Sequence, residues 1–590
     1  MKRTEVEQKY KWAVEDIFPS DEAWEIAFQA LAPKMDFAKY RGTLNTVENL
    51  VAYFEAEEAL SVEAMRVYLY AFLKHDEDVG NTKYMGYMGK MMGVLTKFSM
   101  ETSFVTPELT ALPEETLRAF AADERLKDYD YMLTRLIAEK KYILSEAEER
   151  ILAQTSEPMS VANDVFGLLD NAELNAPEIE YEGKKQTITN GLYSMIMSGK
   201  DRAKREEAFR LFYSAYGKIL GTLAATYYGS VKKDIFYKNV RGYESCLQKS
   251  LLGEDVDESV YRNLIKAVND ATPIMHRYMH IRKRVLGYEE MHMYDIYPSL
   301  VEDAELRLSY EDAFELVLKG LAPLGEEYNA LLRKGRDERW IDVCETEGKR
   351  SGAYSIGIYG CHPYVLLNYQ PTTHNVFTIA HEMGHALHSY FSNSRQPYAK
   401  SNYTLFVAEV ASTVNEVLLL KYLLKTTEDK ALKKYLLNYF MDMIRTTLFR
   451  QTQFAEFEEK AHAMAEAGEP LNKDNLSSLY DGLNKKYYGD AVTYDPEIAT
   501  EWARIPHFYR AFYVYKYATG ITAAICIANK ILSEGAPAIE KYFTFLSGGG
   551  STDPVSLLKG AGADLTKEET FLAAMKEFED ALNSFEAMID

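Results

Sequence analysis

Cysteine is scarce in this chain. Four thiols, Cys246, Cys344, Cys361 and Cys526, are scattered over 590 residues, and none forms a C-x-x-C pair. That excludes a disulfide framework. Long apolar runs are missing too: nothing approaches the ~18 apolar residues of a membrane-spanning helix, and the best short run is Ile521 to Ala528. The opening, MKRTEVEQKYKW, carries charges where a secretory signal needs an apolar segment. Positive charge is in deficit, with 67 Lys and Arg against 89 Asp and Glu, a formal charge of −22. Affinity for nucleic acid comes from clustered basic residues, so no such partner is expected. An acidic surface keeps a protein soluble without pointing to a substrate. These deficits together predict a soluble, cytoplasmic protein with no membrane partner.

Hydrophobic residues make up 47% of the chain, ample for large cores, and the length calls for more than one lobe. Helical signals dominate. Asn45-x-x-Glu48 and Ser145-x-x-Glu148 read as capping boxes, and Thr106-Pro107 as a helix start. Amphipathic stretches run from Leu50 to Lys74 and from Asp201 to Lys232. Strand signals are few: a hairpin turning at Glu182-Gly183 within Glu178 to Thr189, and two or three short strands within Gly352 to Tyr369. The break around the hairpin predicts a boundary near residue 200. It divides the chain into 1–200, helical with the hairpin near 178–189, and 201–590.

The chemistry concentrates at His381-Glu382-Met383-Gly384-His385, inside the apolar run VFTIAHEMGHALHSYF. Residues four apart on a helix lie about 40° apart around its axis, so both imidazoles leave one face. Two neutral imidazoles at that spacing can bind one Zn²⁺, and the intervening Glu382 can take a proton from water. With 11 His and 89 acidic residues, chance would supply ~0.03 such matches.

A catalytic zinc needs a third protein ligand and one open position. A histidine ten residues after the first is excluded, because Phe391 stands there. The next apolar segment offers Glu409 and Glu416, seven apart and hence on one helical face. A carboxylate among Val, Ala, Phe and Leu must be paired, protonated or metal-bound. Glu409 is the expected ligand. Glu416 is expected either to orient an imidazole N–H or to form a plain ion pair. His388, seven residues after His381, reads as a packing or imidazole-supporting residue rather than a fourth ligand. His362 and His374 fit no ligand spacing and read as structural or substrate-facing.

The chain resembles the oligoendopeptidase F family, relatives of thimet oligopeptidase. The likeness rests on GKRSGAYSIGIYGCHPYVLLNY (Gly348 to Tyr369), FTIAHEMGHALHSY (Phe377 to Tyr390), AEVASTVNE (Ala408 to Glu416) and PHFYRAFYVYKYATG (Pro506 to Gly520), and KWAVEDIFPS (Lys11 to Ser20) is similar to the family's opening. It spans almost the whole chain and is densest between residues 348 and 520. The resemblance implies a mainly α fold, with two helical lobes flanking a deep substrate channel and a small β-sheet beside the zinc-binding helix. Residues 1–200 would be the N-terminal lobe and 201–590 the catalytic lobe. It also implies a zinc endopeptidase for short, unfolded oligopeptides with one Zn²⁺ per chain. His381, His385 and Glu409 fall on its metal ligands and Glu382 on its catalytic base.

Peptide hydrolysis also needs a donor for the developing oxyanion. Pro506 to Gly520 offers His507, Tyr509, Tyr513, Tyr515 and Tyr517. The family places a histidine and tyrosines of this region over the zinc, which favours His507 and Tyr515, with Tyr509 next. Gly352, Ala353 and Tyr354 can form a sheet edge that pairs with substrate backbone, or simply pack closely. Two other readings stay open: a helical zinc metallocarboxypeptidase, and a catalytically silent peptide-binding protein.

Overall fold

The computed structural model describes residues 1–301, 304 and 306–589. Helix dominates throughout, and the chain folds into two compact units, each assembled from three separate stretches. The first comprises Met1–Glu146, Leu306–Tyr422 and Ile527–Ala563; the second comprises Ala147–Glu305, Leu423–Cys526 and Asp564–Asp590. The division therefore does not follow a single cut near residue 200. The hairpin that suggested one is a local insertion among helices of the second unit. No described helix is long and apolar enough to cross a membrane.

In the first unit the helix Val47–Glu77 runs for 31 residues. Leu50, Tyr53, Phe54, Leu60, Ala64 and Val67 recur along it at helical spacing and face the core. Trp24 stacks on Tyr87 at 3.7 Å and donates its indole N–H to the Val67 carbonyl at 2.8 Å. The cap falls one residue later than the sequence suggested: Thr46, not Asn45, accepts from the Asn49 N–H at 3.3 Å. Val105–Ala111 likewise begins before Thr106, which leaves Pro107 in the first turn, where its missing N–H costs nothing.

The same unit holds a three-stranded sheet in the order Ile341–Asp342, Tyr364–Leu366, Tyr354–Ile356. The first pair is parallel and the second antiparallel, with Tyr354 opposite Leu366. Buried Asp342 anchors the sheet: the Lys349 ammonium lies 2.7 Å and the Arg3 guanidinium 2.6 Å from its carboxylate. Among the described residues no strand pairs with the outer edge of Tyr354–Ile356.

In the second unit the expected hairpin pairs Glu178–Tyr181 with Lys184–Thr187. Glu182 (φ 52°) and Gly183 (φ 72°) supply the two left-handed positions of its tight turn. Asp201 to Lys232 is two helices, Arg202–Lys218 and Leu220–Arg241, broken where Ile219 leaves helical geometry at φ −117°, ψ 14°. Further on, Lys430–Ile444 passes into Arg450–Glu466 through a single π-helical turn, Arg445–Phe449.

Candidate active site

The HExxH motif lies in the helix Thr373–Arg395, capped by the Thr372 hydroxyl, which accepts from the Asn375 N–H at 3.3 Å. The second helix, Leu405–Thr426, packs against it at Gly384. A Cβ on Gly384 would stand 2.6 Å from Ser412 Cα and 2.8 Å from the Ala411 carbonyl, so only glycine permits this approach. Asn415 cross-links the pair. Its amide donates to the Ala380 carbonyl at 2.9 Å and its oxygen accepts from the Tyr328 hydroxyl at 3.0 Å.

This packing brings three ligand atoms together. His381 Nε2 and His385 Nε2 are 3.2 Å apart, and Glu409 Oε2 lies 3.4 Å from the first and 3.5 Å from the second. Tetrahedral ligands at about 2.0–2.1 Å from a zinc ion stand about 3.3–3.4 Å from one another. The triangle thus has the size of one face of a zinc coordination tetrahedron. Its donor set, two imidazoles and a carboxylate, leaves the fourth corner free. Glu409 keeps 45% of its side chain exposed, so solvent reaches the triangle at that donor.

The surroundings prepare each donor. Glu416 Oε1 sits 2.5 Å from His381 Nδ1, which fixes the proton there and turns Nε2 toward the other donors. Ser412 donates to Glu409 Oε2 at 3.3 Å. Without a cation, burial opposes charge on His381, but Glu416, Glu382 and Glu409 prevail and raise its pKa to about 9. Burial would raise Glu409, yet the imidazoles of His385 and His381 hold it down at about 2. The pocket is built for positive charge.

Glu382 is 7% exposed, and burial lifts its carboxyl above the usual range against the pull of both histidines. Its carboxylate makes no hydrogen bond among the described residues, so its oxygens are uncommitted. His388 packs instead of supporting a ligand. It is 1% exposed and stacked on Tyr403 at 3.7 Å, and burial, then His385, drives its pKa down to about 3. His362 stacks on Trp340 at 5.1 Å and is likewise a packing residue.

Of the proposed substrate strand, Gly352 takes φ 85° and its carbonyl accepts from the Asn368 amide at 2.8 Å. The Tyr354 hydroxyl donates to buried Asp76 at 2.9 Å, so its side chain serves the fold and its strand offers backbone alone. The strand's far end abuts the motif helix, where a Cβ on Gly357 would lie 2.5 Å from Ser389 Cβ.

His507, Tyr509 and Tyr515 belong to the second unit. Tyr515 is 1% exposed and packs edge-on against Tyr261 at 5.2 Å; Tyr509 is 8% exposed, bonded to the Thr226 hydroxyl at 2.7 Å and stacked on Phe166. The surface members are exposed His507 with half-buried Tyr513 and Tyr517, ring centres 5.6–6.1 Å apart. Burial and then Arg510 lower the His507 pKa, which keeps it neutral. Sequence reasoning missed the support for this cluster. Phe512 holds a left-handed φ of 56°, and its N–H donates to buried Glu458 at 3.1 Å. A bulky residue in that conformation marks a strained, over-determined turn.

A helix-borne His-His-Glu metal site with a glutamate between the histidines defines a metallopeptidase. Residues 195–577 match the model of Peptidase family M3, and residues 108–175 match that of Oligopeptidase F. Oligopeptidase PepF of Bacillus subtilis is 43% identical over 100% of this chain and 88% of its own length. The oligoendopeptidase F homolog of Lactococcus lactis is 37% identical, over 100% and 98%. A solved peptidase from Chlamydophila abortus superposes with a TM-score of 0.94 at 34% identity, covering 100% of this chain and 99% of that one. Oligoendopeptidase-F from Enterococcus faecium superposes with a TM-score of 0.74 at 35% identity, over 97% and 99%. The chain belongs to peptidase family M3, among its oligoendopeptidase F members.

Proposed function

We propose that this metallopeptidase is a zinc-dependent endopeptidase that cleaves internal bonds of short, unfolded oligopeptides. The observation that carries the reading is the triangle of His381, His385 and Glu409, whose edges of 3.2–3.5 Å match tetrahedral zinc. These three residues would hold one Zn²⁺ per chain. Bound there, it supplies Lewis acidity to the scissile carbonyl and lowers the pKa of water toward about 7.

Glu382, buried and uncommitted, takes the proton of the attacking water and delivers it to the departing amine. Glu416 holds the His381 ring in its working tautomer. Tyr509 and Tyr515 are spent on core packing, which leaves exposed His507 as the candidate hydrogen-bond donor of this segment. The unpaired edge of Tyr354–Ile356 supports recognition of an extended substrate backbone. Pairing of that kind needs a peptide free to extend, which a folded protein is not. Cys246, Cys344, Cys361 and Cys526 form no disulfide among the described residues, which supports a reducing, cytoplasmic setting.

Incubation with a peptide mixture and a stable folded protein, followed by mass spectrometry, tests the reading. Internal cleavage of the peptides, abolished by a zinc chelator, is the expected outcome. Release of single C-terminal residues alone would establish a carboxypeptidase instead.

A further inference from the structure

Arg350 stands where the strand with the unpaired edge begins. Its N–H donates to the Asp76 carbonyl at 3.0 Å, and its own carbonyl accepts from the Asn368 amide at 3.0 Å. The same amide reaches the Gly352 carbonyl, so the main chain is tied down from Arg350 to the left-handed turn at Gly352. Two residues on, Tyr354–Ile356 presents its free edge. All of this lies in the first unit, together with His381, His385 and Glu409.

The Arg350 side chain is held without being used up. Its guanidinium carbon lies 6.0 Å from the centre of the Phe72 ring and 5.9 Å from that of Tyr354, rings that are 5.6 Å apart. Contacts of this kind steady a guanidinium and consume none of its N–H donors. One terminal nitrogen, Nη1, faces buried Asp76 at 3.3 and 3.5 Å. Asp76 has closer partners in the Tyr354 hydroxyl and His75 Nδ1, both at 2.9 Å. The other edge of the fork, Nε with Nη2, makes no hydrogen bond among the described residues, and the side chain is 52% exposed. At Arg118, Arg202, Arg210 and Arg262 that same edge grips a carboxylate.

We propose that Arg350 is a specificity-determining residue, whose free edge binds a carboxylate of the peptide lying along Tyr354–Ile356. The carboxylate is either the peptide's C-terminus or an acidic side chain. This rests on the endopeptidase reading and its strand-edge recognition. An ionised carboxylate gives the Nε–Nη2 edge two parallel N–H···O bonds, a geometry open to arginine and closed to lysine. An amide in its place offers one oxygen and no charge. The strand meets the motif helix at Gly357, three residues beyond Tyr354, or roughly 10 Å of extended chain. The negative group should therefore count at three or more residues from the cleaved bond.

The test gives the full-length, metal-loaded enzyme a set of otherwise neutral decapeptides. One series compares a free with an amidated C-terminus. The other keeps the amide and moves a single Glu, against Gln, along the peptide. kcat/KM should favour a carboxylate at least about tenfold, chiefly through KM, and the series that shows the preference identifies the source. Arg350→Met should abolish the preference and Arg350→Lys restore part of it. A role confined to Asp76 and the fold would shift the thermal midpoint and leave the preference alone. Wild-type enzyme that cuts the peptides internally with no preference would overturn the proposal and leave the endopeptidase reading standing. A preference that survives in Arg350→Met would overturn it equally. If no peptide is cut internally, the endopeptidase reading itself falls and takes the proposal with it.

Discussion

Glu382 and Glu416 lie on neighbouring helices of one site, and their geometry assigns them different work. Glu382 has no hydrogen-bond partner among the described residues, whereas Glu416 is committed to His381 at 2.5 Å. Glu382→Gln should retain its metal and fold while kcat falls about 10²–10⁴-fold; metal analysis beside steady-state kinetics checks both halves. Glu416→Ala should weaken metal retention or activity about 10–100-fold, because the His381 ring loses its orientation. Glu409→Ala should strip the metal more completely, and dialysis against graded chelator ranks the two. The roles proposed for these residues were legible because a spacing of four or seven survives on any helix. The tyrosines were not. Tyr513, Tyr515 and Tyr517 straddle the start of the helix Tyr515–Glu534, so a spacing of two predicts neither a shared face nor a shared burial.

The element that sets the ligand triangle is the contact between the motif helix and Leu405–Thr426. In an exposed helix, Gly→Ala gains about 1 kcal/mol of propensity. At Gly384 the new methyl meets main chain, Ser412 Cα at 2.6 Å and the Ala411 carbonyl at 2.8 Å, which cannot swing aside as a side chain could. Overpacking at about 1–3 kcal/mol therefore wins. Gly384→Ala should lower the thermal midpoint and weaken metal binding together, because the same displacement moves Glu409. Parallel calorimetry and zinc titration would expose any variant that changed only one. The helical class and the hairpin were readable from periodicity and turn chemistry. Helix starts slipped by a residue where Asn45 and Thr46 both offered a capping oxygen, and only the structure chose.

For the whole molecule, the decisive fact is that each unit is finished by chain from beyond residue 526. Phe543 and Phe545 pack on Phe391 and His388 in the first unit, and Phe578 packs on Tyr278 and Phe449 in the second. A chain cut after Cys526 should lose cooperative melting in both units and fail to retain zinc, although every proposed ligand is present. A thermal scan with metal analysis of the truncated protein decides it. A truncation that still bound zinc tightly would show the first unit to be complete without its third stretch. No local pattern announces such a division, since each stretch is ordinary amphipathic helix and only long-range contact assigns it.

The stacked His388 also sets a clock on biosynthesis. Its cover, Phe545, leaves the ribosome about 160 residues later, an interval of roughly 8–30 s at ~5–20 residues per second. Throughout that time the HExxH helix has an apolar flank exposed beside His381 and His385. A nascent chain in that condition presents both imidazoles but, like the chain cut after Cys526, should not hold metal until its third stretch has packed.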